Sequence, residues 1–513
     1  MIDDVLIQWS PETLRAVLAD DLEQAELMVV SNREPYAHEW VNDRVELQMP
    51  ASGLVSALDP VMRAFAGTWI AYGGGSADRE AVDSSDCLGV PPHDPHYRLR
   101  RVWLTKQQHD GHYSGLSNEG LWPLCHIAFA RPTFRASDWD AYREVNRRFA
   151  AVVAEEAETA NPVVLVQDYH FSLLPGMIRD LMPAATILTF WHIPWPNAEQ
   201  FGVCPWHKQI LDGLLGSSIV GFHTGLHCSN FLDCVDRFVE CRIDRQAGTI
   251  HREGHTTSVN AYPISIPWPA QAEHLSRSTA RELVGRRYDI PDRIKLIAGV
   301  ERLDYTKGII ERLRAVETLL ESRPEWIGRI VMAQVASPSR SNLPAYQRLR
   351  RECTELVDCI NARYGRGAYR PVLWLERHHS RAAVDELLAA ADICVVSSLH
   401  DGMNLVAKEF VAARHEDEGV LILSPFTGAS QELVDALLVN PYDTVDMAEA
   451  MHRALTMPPE EQAERMRSMR EVVRSNNVYR WAGRMLLDAV QARRRNGHAS
   501  NGQAQNGTSV WGS

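Results

Sequence analysis

Lys295-Leu296-Ile297-Ala298-Gly299-Val300 is a mostly apolar run without polar alternation, and Glu301-Arg302-Leu303-Asp304-Tyr305-Thr306-Lys307-Gly308 follows it directly. A run of this kind suits a strand buried on both faces, as in parallel sheets covered by helices. The polar stretch behind it then falls at the strand's carboxyl end, where open α/β sheets hold their ligands. The pattern recurs at Leu27-Met28-Val29-Val30, Val163-Val164-Leu165-Val166, Thr186-Ile187-Leu188-Thr189-Phe190 and Ile219-Val220-Gly221-Phe222. It returns at Ile330-Val331-Met332-Ala333-Gln334-Val335, Ile393-Cys394-Val395-Val396 and Val420-Leu421-Ile422-Leu423. The intervals leave room for crossover helices, so the reading is a doubly wound α/β pattern met twice.

The first series ends at Tyr262-Pro263-Ile264-Ser265-Ile266-Pro267-Trp268-Pro269, whose prolines break regular structure and suit a linker. The second Rossmann-like domain starts near Ile290. Between Asp138 and Ala157, Trp139, Tyr142, Val145, Phe149, Val152 and Val153 recur at three- and four-residue steps, which predicts an amphipathic helix packed on the first sheet. Arg493-Arg494-Arg495 suits the end of a last helix, and the polar residues 496–513 are expected to be disordered.

The 513 residues fit two domains, and 45% hydrophobic with 23% charged residues is globular rather than fibrous or disordered. A net charge of −13 offers no long-range attraction to nucleic acid or to an anionic membrane. Any anionic ligand must therefore be held by local cations. The nine cysteines contain no C-x-x-C pair, which argues against a disulfide framework and a zinc ribbon and for reduced thiols. Met1-Ile2-Asp3-Asp4 is acidic where a secretion signal is basic, and no apolar run could span a bilayer, so the expected location is cytoplasmic.

Five polar stretches follow the apolar runs: Ser31-Asn32-Arg33, Gln167-Asp168-Tyr169-His170, Trp191-His192-Ile193-Pro194, Glu301 to Gly308, and Ser397-Ser398-Leu399-His400-Asp401-Gly402-Met403-Asn404-Leu405-Val406-Ala407-Lys408-Glu409. Arg302 and Lys307 flank a strand end with Gly308 opening a helix, a layout that can neutralise a diphosphate; the alternative is a surface ion pair with Asp304. Asp401 and Glu409, eight residues apart, would stand roughly 12 Å apart on a helix, about the span from a hexose to a nucleotide's ribose. The amides of Asn404, Leu405 and Val406 could meet the diphosphate between them; the alternative is a capping Asp and a solvated Glu. Asp138-Trp139-Asp140 opens a helix and reads as capping rather than a metal site.

These segments, with Leu121-Trp122-Pro123, resemble the signatures of the trehalose-6-phosphate synthases, retaining glucosyltransferases of glycosyltransferase family 20, in order from about residue 27 to 490. The resemblance implies the GT-B fold: α/β, with two Rossmann-like doubly wound domains facing a central cleft. Residues 1–266 would bind the acceptor and 267–470 the nucleotide sugar, and a helix over 471–495 would cross back to the first domain. It further implies transfer of glucose from UDP-glucose to glucose 6-phosphate, without a cofactor or metal, and a possible homo-oligomer.

Matched position by position, the resemblance assigns Arg302, Lys307, Gly402, Met403, Asn404, Leu405, Val406 and Glu409 to the donor, Asp401 and His192 to its glucosyl group, and Gly53 to a close amide contact. His379 stands where an aromatic near the uracil is often Phe. Arg33, Tyr113, Trp122, Asp168 and Arg340 match the acceptor pocket, with Tyr72 where Trp is common; Arg33 and Arg340 would fork onto the acceptor's phosphate. Arg302, Lys307, His192 and Asp168 are the residues expected to carry the reaction. Ser52 replaces the first of two adjacent glycines. The variant Arg33-Glu34-Pro35-Tyr36 is also similar to glucosylglycerol-phosphate synthases, which use glycerol 3-phosphate. A relative joining cyclitols through nitrogen and a silent sugar-phosphate sensor are the remaining alternatives.

Overall fold

In the computed structural model, residues 8–22, 26–49, 53–269 and 275–505 are described. They fall into two compact units. The first takes the described residues of Met1–Cys125, Arg131–Pro263 and Tyr479–Ser513, and the second His126–Ala130 and Ile264–Val478. The division falls inside the expected proline-rich linker, and the last helix is part of the first unit.

The first unit holds β1 (Leu27–Arg33), β2 (Ala37–Val41), β3 (Arg44–Gln48), β4 (Thr68–Tyr72), β5 (Cys87–Val90), β6 (Tyr97–Val102), β7 (Val163–Gln167), β8 (Thr186–Phe190), β9 (Ile219–Phe222), β10 (Arg242–Asp244), β11 (Thr249–Arg252) and β12 (His255–Ala261). Ten of these form one sheet in the order β10-β11-β12-β9-β8-β7-β1-β4-β6-β5. It is parallel from β12 to β6, with antiparallel additions at both edges. The chain leaves β1 towards β4 and β6, then returns to β7 on the other side, so the topological switch point lies between β1 and β7.

The second unit holds β13 (Lys295–Arg302), β14 (Ile330–Ser337), β15 (Val372–Leu375), β16 (Ile393–Val396), β17 (Val420–Leu423) and β18 (Leu437–Leu438), ordered β15-β14-β13-β16-β17-β18 and parallel throughout. Its switch point lies between β13 and β16. All eight apolar runs are strands, buried along their apolar residues, as burial on both faces requires.

The expected amphipathic helix spans Ala136–Glu156, and the six apolar residues that predict it are all buried. Asp138 lies in its first turn, so the acidic triplet does open a helix, but it does not cap it. The cap position is Arg135, with no side-chain cap bond, and the Asp138 carboxylate instead accepts from the Arg135 guanidinium at 3.0 Å. The last helix corrects two expectations: it runs from Val478 to Gln505, which places Arg493 to Arg495 inside it and carries it through 496–505, where disorder was expected. Extending an existing helix costs far less than nucleating one, so polar composition did not end it. Residues 506–513 lie outside the described residues, as does Ser52.

Candidate functional site

In the second unit, the carboxyl ends of β13 and β16 stand side by side and carry the two long motifs. Gly308 follows Lys307 with φ +62°, and a Cβ there would collide with the Ser397 carbonyl oxygen behind β16. Only glycine lets the two loops approach this closely. Gly308→Ala is expected to lower unfolding free energy by about 1–3 kcal/mol, the usual scale of such strain, measurable by urea denaturation.

Across this approach Lys307 Nζ meets Asp401 Oδ2 at 2.5 Å, with both side chains nearly buried. The same oxygen accepts from Ser398 Oγ at 3.2 Å and Asn404 Nδ2 at 3.3 Å. Burial pushes the Asp401 carboxyl up, but the Lys307 ammonium, then His126 and the Asn404 amide, outweigh it and bring it down to about 2. Lys307 therefore pairs with Asp401, not with Asp304. Asp304 instead holds Arg340, whose guanidinium donates at 3.1 Å and also reaches the Tyr346 hydroxyl at 2.5 Å. Burial would raise Asp304; Arg340, then Arg302 and Lys307, keep it below the usual carboxylate range.

The helix after Asp401 spans Leu405–Ala412, and its cap is Asn404 (φ +82°), which accepts from the Ala407 amide at 3.2 Å. Asp401 is thus not the cap, and the spacing of roughly 12 Å, which assumed helical rise from Asp401 onwards, does not apply, because the rise starts only at Leu405. The first-turn amides of Leu405 and Val406 lack carbonyls one turn back, as at any helix start, and point where an anion is favoured. Gly402 and Met403 are buried in the turn before it. Glu409 is not a solvated residue: it pairs with Arg381 at 2.5 Å, and burial raises its carboxyl despite that guanidinium. His379 lies half-buried between β15 and the helix Arg381–Ala390, with Nδ1 2.9 Å from the Arg377 carbonyl oxygen.

His126 was not singled out by the sequence. It belongs to this second unit, is buried, and has its ring edge-on to His400 at 6.5 Å. Burial, opposed by Asp401 and reinforced by His400 and Lys307, brings its imidazole down to about 3. Nothing around Cys125-His126 in the sequence marks it, and Arg381 was equally silent; Ser398 did lie within the quoted motif.

In the first unit, Arg33 ends β1, exposed, in register with Tyr72 at the end of β4. Across the switch point, Asp168 follows β7 with φ +75°, a strained position for a residue with a side chain. Its carboxylate accepts from the Tyr169 amide at 3.0 Å and the His192 amide at 3.2 Å, tying the loops after β7 and β8 together. His192 Nε2 lies 2.8 Å from Gln167 Oε1, and burial brings its imidazole down to about 3, so it is neutral at ordinary pH. A chain of stacked rings runs Tyr72, His109, Tyr113, His170, Tyr169, with centroid separations of 4.9, 5.3, 5.6 and 4.2 Å, and Trp122 tilts against Tyr169 at 5.9 Å. The structure thus joins Tyr72, Tyr113, Trp122 and Asp168 in one wall and adds His109, which the sequence did not mark. Gly53 begins the helix Gly53–Phe65.

The model of the family described as Glycosyltransferase family 20 matches residues 25–491. A trehalose-6-phosphate synthase of Mycolicibacterium vanbaalenii is 38% identical over 483 residues, covering 91% of this chain and 96% of that protein. An α,α-trehalose-phosphate synthase (UDP-forming) of Burkholderia xenovorans, solved in complex with glucose-6-phosphate, superposes with a TM-score of 0.80 at 30% identity, covering 91% of this chain and all of that one. An E. coli structure bound with UDP-2-fluoro glucose gives a TM-score of 0.79 at 30% identity, covering 91% and 99%.

Proposed function

The chain belongs to glycosyltransferase family 20, and from that membership we propose how its residues divide the work of the reaction. It is a retaining glucosyltransferase that moves glucose from UDP-glucose to glucose 6-phosphate, releasing UDP and α,α-trehalose 6-phosphate. The observation that carries the assignment of roles is the position of the matched motifs: each set stands at the topological switch point of its own sheet, where open α/β sheets bind ligands.

In the second unit, Arg302 and Lys307 face the leaving diphosphate, with the first-turn amides of Leu405 and Val406 beside them. Such preset cations and dipoles need no reorganisation as charge develops on the leaving oxygen. Asp401, held ionised by Lys307, accepts from sugar hydroxyls, and Glu409 accepts from the ribose. Gly402, Met403 and Asn404 shape the turn between them, and His379 completes the donor set of this unit; Gly53, of the first unit, is the remaining residue matched to the donor.

In the first unit, Arg33 takes the acceptor's phosphate, and the wall of rings that includes Tyr72, Tyr113 and Trp122 takes its sugar. Asp168 and His192 orient the reacting groups. Arg340, which belongs to the second unit, is the second residue matched to the phosphate, with part of its guanidinium already committed to Asp304. Transfer proceeds on one face of the sugar, the departing phosphate oxygen taking the acceptor proton, so no separate base is needed.

The same reading puts the enzyme in the cytoplasm, in keeping with nine cysteines that all stand as free thiols. No helix among the described residues is long and apolar enough to cross a membrane.

Fixed cations replace the divalent ion that otherwise screens a diphosphate, so activity is expected to survive exhaustive EDTA treatment. Loss on chelation, restored by Mg²⁺ or Mn²⁺, would count against this division of roles. The deciding assay is an acceptor and donor panel: glucose 6-phosphate, glycerol 3-phosphate and glucose against UDP-, GDP- and ADP-glucose, with product identification. A cyclitol product, or no nucleotide release with any acceptor, would point to the other relatives.

A further inference from the structure

Directly after Arg33, the chain buries a carboxylic acid. Glu34 Oε1 accepts from the Gly74 amide at 3.0 Å, and Oε2 accepts from Arg101 Nε at 2.8 Å. Arg101, on β6, is itself fully buried and shared: it pairs with Asp78 Oδ1 at 2.7 Å and donates to the Tyr36 carbonyl oxygen at 2.9 Å. Asp78 in turn accepts from the His38 amide at 2.7 Å and the Gly75 amide at 2.6 Å. One guanidinium thus serves two buried carboxyls, and together they pin the loop after β1 to the loop after β4. Those are the loops whose strand ends present Arg33 and Tyr72.

We propose that Glu34 is a positioning residue for the acceptor: through its bonds to Gly74 and Arg101 it sets the loop that carries Arg33 and so governs the hold on the phosphate that Arg33 receives. The proposal rests on Arg33 being the phosphate anchor. Arg101 of β6, Asp78 of the turn after β4 and Tyr72 of β4 face Glu34, and His38 of β2 lies against the same Arg101 at 2.9 Å. Two carboxyls beside one cation cannot both ionise cheaply. Burial, then the hydrogen bond with Asp78, pushes Glu34 up to about 8 against the pull of Arg101. Burial with the neighbouring Arg101 lowers His38, so the imidazole supplies no second cation. Burial followed by Glu34 raises the Tyr72 phenol, which keeps it neutral here.

The sign follows from that state. Below about pH 8 the neutral form of Glu34 dominates and Arg33 offers its full charge to the phosphate. Above it, a carboxylate directly after Arg33 in the chain, bonded to Arg101 and the Gly74 amide, adds negative charge to the loop that carries Arg33, and KM for glucose 6-phosphate rises. The acceptor's own phosphate, with a second pKa near about 6, is already dianionic throughout this window.

The test measures KM for glucose 6-phosphate and for UDP-glucose from pH 7 to 9.5 in the native enzyme and in Glu34→Gln, Glu34→Asp and Arg33→Ala. In the native enzyme, KM for the acceptor is expected to rise about three- to tenfold, the scale of a like charge at a partly buried site, while KM for UDP-glucose stays level. Glu34→Gln should flatten the rise and Glu34→Asp should retain it. A native KM that is flat across the window overturns the proposal, whether or not the variants fold. So does an unchanged rise in Glu34→Gln, or a shift in both KM values together. If Arg33→Ala leaves KM for the acceptor unchanged, the anchor reading itself fails; if that variant responds and Glu34→Gln does not, only the role of Glu34 falls.

Discussion

Arg302→Ala and Lys307→Ala are each expected to lower kcat/KM for glucose transfer by about 10²–10³, the usual loss when a preset charge stabiliser is removed from a transition state. The charge they face grows as the bond to the diphosphate breaks, so kcat should fall with kcat/KM rather than KM rising alone. The two variants should differ in stability. Arg302 ends β13, and its removal leaves the Lys307–Asp401 pair in place. Lys307→Ala strips a buried carboxylate of its counter-charge, and the Asp401 carboxyl, held at about 2 chiefly by Lys307 against burial, should rise. A depressed carboxylate stabilises the fold above its unfolded pKa and loses that contribution as pH falls towards 2. The lysine variant should therefore unfold more easily at neutral pH and have less left to lose in acid. Circular dichroism melts separate the two effects, and near-normal turnover in both variants would sink the donor assignment.

That pair also shows where reading the sequence stops. The motifs stand where the strand pattern puts them, because apolar runs buried on both faces have only one sensible partner, a helix-covered sheet. The partners of charged residues are another matter. The alternative to a diphosphate role paired Lys307 with Asp304, three positions away, yet Lys307 meets Asp401 across the switch point, and Arg340 takes Asp304. Local spacing cannot reveal a neighbour supplied by another strand. β6 was missed for the same reason: Tyr97–Val102 carries Arg98, Arg100 and Arg101, and nothing in that stretch says that Arg101 bonds Glu34 and pairs with Asp78 inside the unit. The two-residue strand β18 gave too few residues for a period. His126 needed the chain's excursion into the second unit, which no local pattern predicts.

Glucose 6-phosphate is expected to exceed glucose in kcat/KM by about 10²–10⁴, because a guanidinium that forks onto a phosphate makes two charge-assisted bonds of roughly 1.5–3 kcal/mol each. Unphosphorylated glucose can fill the space beside Tyr72, Tyr113 and Trp122 but leaves Arg33 without its anion. Arg33→Ala should therefore bring the two acceptors close together by slowing glucose 6-phosphate, with little change for glucose. Since Arg33 is exposed at the end of β1, the same variant should melt near the native temperature. Arg340→Ala should behave differently, destabilising the second unit, since Asp304 would keep its burial and lose its 3.1 Å partner. A native enzyme indifferent to the phosphate would remove Arg33 from the acceptor site. A preference for glycerol 3-phosphate would keep Arg33 where it is and change the carbon skeleton it serves, because the guanidinium reads the phosphate and the ring wall reads the rest.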